Sequence, residues 1–112
     1  MKSPITTHVL DISLGRPAAN LAVRLERTSE TETVWLGASA TNGDGRVTDL
    51  LDAPLVAGRY RITFETGAYF AERGTPCFFP EVSILFEVKD ETQHHHVPLL
   101  LSPFGYSTYR GT

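Results

Sequence analysis

Cysteine is almost absent from this 112-residue chain, in which Cys77 stands alone. One thiol cannot close an internal disulfide, so no cross-linked framework holds the fold and a reducing compartment is expected. Long hydrophobic runs are missing too. No stretch approaches the ~20 apolar residues that cross a bilayer, and SPITTHVL near the start lacks the apolar centre of a secretory leader. A cytoplasmic protein without membrane contact is the expectation. Positive charge is in deficit, the net formal charge being −3, which removes the basic footprint of a nucleic-acid binder. What remains is an ordinary globular composition, 41% hydrophobic and 21% charged, expected to form one domain over residues 1–112. A chain of this size buries about 60–70% of its unfolded surface without metal or disulfide help.

The dominant pattern is alternation with a period of two, the mark of half-buried strands. Segment 5–12 (ITTHVLDI) is β-branched and places His8 on the face of Thr6 and Leu10. In 21–28, Leu21, Val23 and Leu25 point one way and Arg24 and Glu26 the other. Further strands are predicted at 33–41, 46–51, 59–66, 81–89, 94–101 and 104–110, with Tyr60, Ile62 and Phe64 sharing a face. Asn42-Gly43-Asp44-Gly45 supplies two tight-turn dipeptides. Gly15-Arg16-Pro17 reads as another turn, and residues 68–73 as a short helix closed by Gly74. Trp35, Phe64 and the Phe78-Phe79 pair read as core or interface packing. Eight short strands separated by turn signals every ~8–12 residues predict an all-β, eight-stranded antiparallel β-sandwich with one short helix.

The last nineteen residues, HHHVPLLLSPFGYSTYRGT, carry the most chemistry. As a strand, 94–101 puts Val97, Leu99 and Leu101 on the core face. His94, His96, Pro98 and Leu100 then form a second surface, and His95 lies opposite His96. Two histidines at i, i+2 are a candidate chemical pair, and the same spacing suits zinc. No cysteine pair or carboxylate cluster completes a ligand set, so no metal and no cofactor are expected. Pro98, lacking a donor, predicts an edge or a position where the missing donor is not needed. The glycine-rich turn leads into a strand rather than a helix, which does not suit a phosphate loop.

HVLDISLGRPAANLAVRLER, TNGDGRVTDLL and GRYRITFETGAYF together resemble the transthyretin family along most of the chain. His8 in THVLD and the HVPLLLSPFGYSTYRGT ending resemble the enzyme branch of that family, the 5-hydroxyisourate hydrolases. The resemblance implies a sandwich assembled as a homotetramer, a dimer of dimers with sites in the channel between them. It implies hydrolytic opening of the six-membered ring of 5-hydroxyisourate to 2-oxo-4-hydroxy-4-carboxy-5-ureidoimidazoline. It also implies His8, Arg46 and His96 as catalytic residues and Tyr109 and Thr112 as substrate-binding residues, with Arg110 and Ser107 in support. Thr112 stands where the family usually has Ser, and His95 where it commonly has Tyr; neither change removes a required group.

These residue types suit the reaction. A neutral histidine can take a proton from water near pH 7. An arginine offers a planar donor fork to an oxygen-rich ring and to the oxyanion that forms during attack. The choice between His8 and His96 as base stays open at this level. Two other readings compete: a carrier of an apolar ligand in the same channel, and a plain interaction module. Unpaired polar groups lining a channel disfavour the first, and an ordered polar C-terminal segment is left without a role by the second.

Overall fold

The computed structural model describes residues 3–112. Two sheets pack face to face, each built from strands whose alternation was visible in the chain. The first contains β1 (Ile5–Asp11), β2 (Arg16–Pro17), β5 (Arg46–Val47), β8 (His95–Ser102) and β9 (Gly105–Thr108). The second runs in the order β4 (Thr33–Ala40), β3 (Ala22–Thr28), β6 (Gly58–Phe64), β7 (Val82–Val88). Helix α1 (Thr66–Glu72) follows β6 and ends at Gly74, whose φ of 64° suits glycine.

The core is the set of inward positions of both sheets. Val9, Leu99 and Leu101 meet Leu25, Ile62 and Phe64 across the interior, and all six are buried. Burying side chains of this size contributes about 1.5–3 kcal/mol each, which is why the alternation dictates which face of each strand turns inward. Tyr60 stacks on Phe86 with ring centroids 5.9 Å apart.

Two expectations about the strands are corrected. The sandwich is not wholly antiparallel: β8 runs parallel to β1, with Thr6 beside His96 and His8 beside Pro98. Alternation marks a strand but carries no information about the direction of its neighbour, and the chain traverses the whole second sheet between β1 and β8. There are nine strands among the described residues, because Arg16–Pro17 pairs with Leu10 and Asp11, while the strand expected over 46–51 shrinks to two residues. Pro98 is buried in a central strand rather than at an edge, and takes the other expected place, one where its missing donor is not needed. The ladder to β9 stops at Leu99–Thr108 and resumes only at the His96–Gly111 bridge. The missing N–H therefore falls in a break, and the Pro98 carbonyl accepts the Thr108 hydroxyl at 2.7 Å. Trp35 and Phe78, read as core or interface packing, are 63% and 70% exposed, which excludes the core half of that reading; Trp35 sits on edge strand β4 beside a bulge opposite Leu25 and Glu26.

Candidate active site

The outer face of the first sheet carries the site, and the 42–45 turn sets its first component. Gly45 has a φ of 75°, and a Cβ there would meet the Val9 carbonyl oxygen at 2.4 Å, so only glycine fits. The Asn42 side-chain oxygen accepts the N–H groups of Asp44 (2.9 Å) and Arg46 (3.0 Å). The Val9 N–H donates to the Gly45 carbonyl at 2.8 Å. Held this way, β5 pairs antiparallel with β1 and brings Arg46 opposite His8.

The second component comes from the parallel pairing. It sets Thr6 beside His96, and the Thr6 Oγ1 lies 2.8 Å from His96 Nδ1 and 2.8 Å from His94 Nε2. The third is the C-terminal segment. Gly111 donates its N–H to the His96 carbonyl at 2.9 Å, which carries Thr112 into the site. A Cβ on Gly111 would meet His96 Cδ2 at 2.5 Å, so a side chain here would force the imidazole to shift.

Together these elements line a cleft of about 480 Å³ that includes Thr6, Arg46, Thr48, His94, His96 and Thr112. Of the predicted residues, the cleft brings together Arg46, His96 and Thr112. His8 is half-buried one row along, beside Arg46, and is not part of the lining. Tyr109 and Arg110 instead line a neighbouring groove of about 330 Å³, which shares His96 with the cleft. Arg110 donates to the Gln93 side-chain oxygen at 2.9 Å. Ser107 is exposed on β9, opposite Leu100. His95 is buried on the core side of β8, as the alternation predicts, and its Nδ1 has no hydrogen-bond partner among the described residues.

Thr6 and Thr48 are site residues that the sequence reading missed, and His94 was legible only as the i−2 partner of His96. Thr6 had one available signal, its place on the face of His8. The rest of its role depends on the parallel register.

Burial lowers the pKa of His96 below the ordinary 6.5, and the charges of Arg46, His94 and His8 lower it further. The imidazole is therefore neutral near pH 7 and free to accept a proton. Arg46 is exposed, and among the described residues its guanidinium makes no ion pair or hydrogen bond. A neutral base, a cation with open donors and several hydroxyls around one cleft can activate water and hold an oxyanion, which are the requirements of acyl hydrolysis.

Fold and cleft together define a small two-sheet sandwich with a hydrolytic type of site on the outer face of one sheet. The chain belongs to the HIUase/Transthyretin family, whose model matches residues 5–111. It is 47% identical to the 5-hydroxyisourate hydrolase of Mus musculus over 98% of this chain and 96% of that one. The structure of Klebsiella pneumoniae 5-hydroxyisourate hydrolase superposes with a TM-score of 0.85 at 44% identity, covering 100% of both chains. Sea bream transthyretin in complex with thyroxine superposes with a TM-score of 0.91 at 26% identity, over 98% of this chain and 96% of that one.

Proposed function

We propose that this chain is a 5-hydroxyisourate hydrolase that opens the six-membered ring of its substrate by water attack on a ring amide carbonyl. The observation that carries the reading is a proton-accepting His96 in one cleft with the open guanidinium of Arg46. In this mechanism Arg46 binds the substrate and stabilises the developing oxyanion. His96 takes the proton of the attacking water, and His8, beside Arg46, orients the substrate or returns a proton. Thr112 hydrogen-bonds the substrate from the rim. High identity over nearly all of the mouse hydrolase supports the substrate. The carrier reading fits less well, because an apolar hormone would strand the hydroxyl, imidazole and guanidinium groups of this cleft without partners.

The functional unit is taken to be a homotetramer, a dimer of dimers. In that assembly Tyr109 and Arg110, which line the groove beside the cleft, and Ser107, exposed on β9, form the lip of a channel and bind substrate there. Support comes from large apolar side chains left exposed on one subunit, among them Leu14, Phe104 and Tyr106. A single free thiol at Cys77 agrees with a cytoplasmic location. Carbon-13 NMR of urate oxidised in the presence of the protein tests the reaction: prompt formation of the ring-opened carboxylate is expected. Product formation no faster than in buffer would refute it. Analytical ultracentrifugation tests the assembly, which a purely monomeric species would overturn.

A further inference from the structure

A threonine hydroxyl has one proton, and Thr6 places it between two imidazole nitrogens, each 2.8 Å away. Only one of them can accept that proton. The other nitrogen must itself carry a hydrogen and donate to the threonine oxygen. The protonation states of His94 and His96 are thereby coupled, and two arrangements exist. In one, Thr6 donates to His94, so His96 carries its hydrogen on Nδ1 and its lone pair on Nε2. In the other, Thr6 donates to His96 Nδ1 and the His96 hydrogen sits on Nε2.

We infer that Thr6 and His94 act as a paired positioning device that holds His96 in the first arrangement, with Nε2 free to take a proton from the attacking water. This inference rests on the proposed hydrolysis and deepens it. Two features favour the first arrangement. Arg46 lies in the same cleft, and a nearby cation favours a lone pair over an N–H directed into the shared space. His94 is exposed, so its Nδ1 can carry the hydrogen and give it to water while its Nε2 accepts from Thr6. Thr6 is itself 6% exposed, so no water competes freely for its hydroxyl.

The proton balance follows. As water attacks the ring carbonyl carbon, its proton passes to His96 Nε2, and the resulting imidazolium keeps its Nδ1–H on Thr6 Oγ1. Thr6 keeps its proton on His94 Nε2. When the tetrahedral intermediate collapses, the C–N bond breaks and the His96 Nε2 proton goes to the departing ring nitrogen. No other group needs to reorient during the cycle.

Protonating His94 defeats this arrangement. A His94 imidazolium donates from Nε2, which turns the Thr6 proton toward His96 Nδ1 and puts the His96 hydrogen on the nitrogen that should receive the water proton. The groups around the pair are His8 on β1, Arg46 on β5, His95 on β8, Arg110 after β9 and the Asp90 carboxylate, which acts on His95. Asp90 is the one acid among them; it acts on His95, and the groups that act on His96 are all basic. Activity should therefore need both imidazoles neutral, and below both titrations log kcat should fall with a slope of about two.

Nitrogen-15 NMR of the imidazoles and pH–rate profiles of three variants test this. In the parent near pH 7, His96 should show a protonated Nδ1 and an unprotonated Nε2. Thr6→Val, nearly the same shape without the hydroxyl, should lose this preference and about 100-fold in kcat, at the low end of what a general base supplies, with KM little changed. Thr6→Ser should restore both. His94→Gln keeps an acceptor that cannot be protonated, so it should stay active while the acid slope drops to about one. A parent spectrum with the His96 hydrogen on Nε2 would overturn the inference, as would parent kcat in Thr6→Val or an unchanged slope in His94→Gln. The spectrum needs no substrate, so a parent that failed to open 5-hydroxyisourate would refute the proposed function and leave the tautomer answered separately.

Discussion

Replacing Gly111 with alanine places a methyl group where the His96 ring now lies. The added Cβ would stand 2.5 Å from His96 Cδ2, 3.3 Å from His96 Cγ and 3.2 Å from Pro98 Cγ. The Gly111 N–H is tied to the His96 carbonyl at 2.9 Å, so the new methyl cannot simply back away. Carbon atoms rest comfortably at about 3.5–4.0 Å, which asks the ring to move by roughly 1 Å. A displacement of that size stretches the 2.8 Å bond to Thr6 beyond hydrogen-bond range. It also misplaces Nε2 relative to the substrate, and a misplacement of about 1 Å costs on the order of 100-fold in rate, or about 2.7 kcal/mol of barrier. Overpacking strain is typically about 1–3 kcal/mol and should fall at the low end here, because the segment lies at an exposed sheet margin. Stopped-flow absorbance on 5-hydroxyisourate gives kcat, and urea unfolding separates it from stability. A Gly111→Ala protein with parent kcat would refute the claim that the His96 ring orientation depends on this glycine.

Other predictions follow from the same geometry. His96 should titrate below 6.5 by NMR, and removing one of the charges that lower it, by Arg46→Gln, should move its pKa upward. His95 is lowered in the same direction, by burial first and then by Arg110. The unfolded chain therefore binds more protons than the native one below the ordinary value of 6.5. Stability should fall as the pH drops through that range, giving a lower urea midpoint at pH about 5.5 than at about 7.5. Tyr69 donates to the buried Asp11 carboxyl at 2.8 Å, and its own pKa is pushed up to about 12, chiefly by burial. Tyr69→Phe should cost about 1–3 kcal/mol in urea unfolding without changing kcat. Asn42→Ala strips the acceptor from two N–H groups of the turn before Arg46. It should cost about 1 kcal/mol and raise KM several-fold by loosening the guanidinium.

Most of the sandwich was legible because its strands are two-faced: Val23 and Leu25, or Ile62 and Phe64, cannot be inward without fixing the register of their neighbours. The parallel neighbour of β1 was not legible, since pairing between the first strand and the eighth is decided by how the intervening sheet packs. That one pairing determines the site. It sets Thr6 against His96, whereas locally in ITTHVLDI only the alternation that puts Thr6 on the face of His8 separates it from Thr7. Arg46 and His96 were found through family resemblance and turn chemistry, and the cleft does contain them. Tyr109 and Arg110 were grouped with them by the same family resemblance, whereas regular pairing of β9 ends at Thr108 and the two side chains fall on the adjoining groove. Trp35 shows the limit of composition: a large apolar side chain on an edge strand can face out, and alternation alone does not say which sheet face is covered.

The most direct test of the central claim is the decay of ultraviolet absorbance of 5-hydroxyisourate, generated in place by urate oxidase, with the parent protein and with His96→Ala and Arg46→Ala. The account predicts fast decay with the parent and decay at the uncatalysed rate with either variant, both remaining folded. Parent-like decay with His96→Ala would contradict it, and so would a folded parent that leaves the uncatalysed rate unchanged.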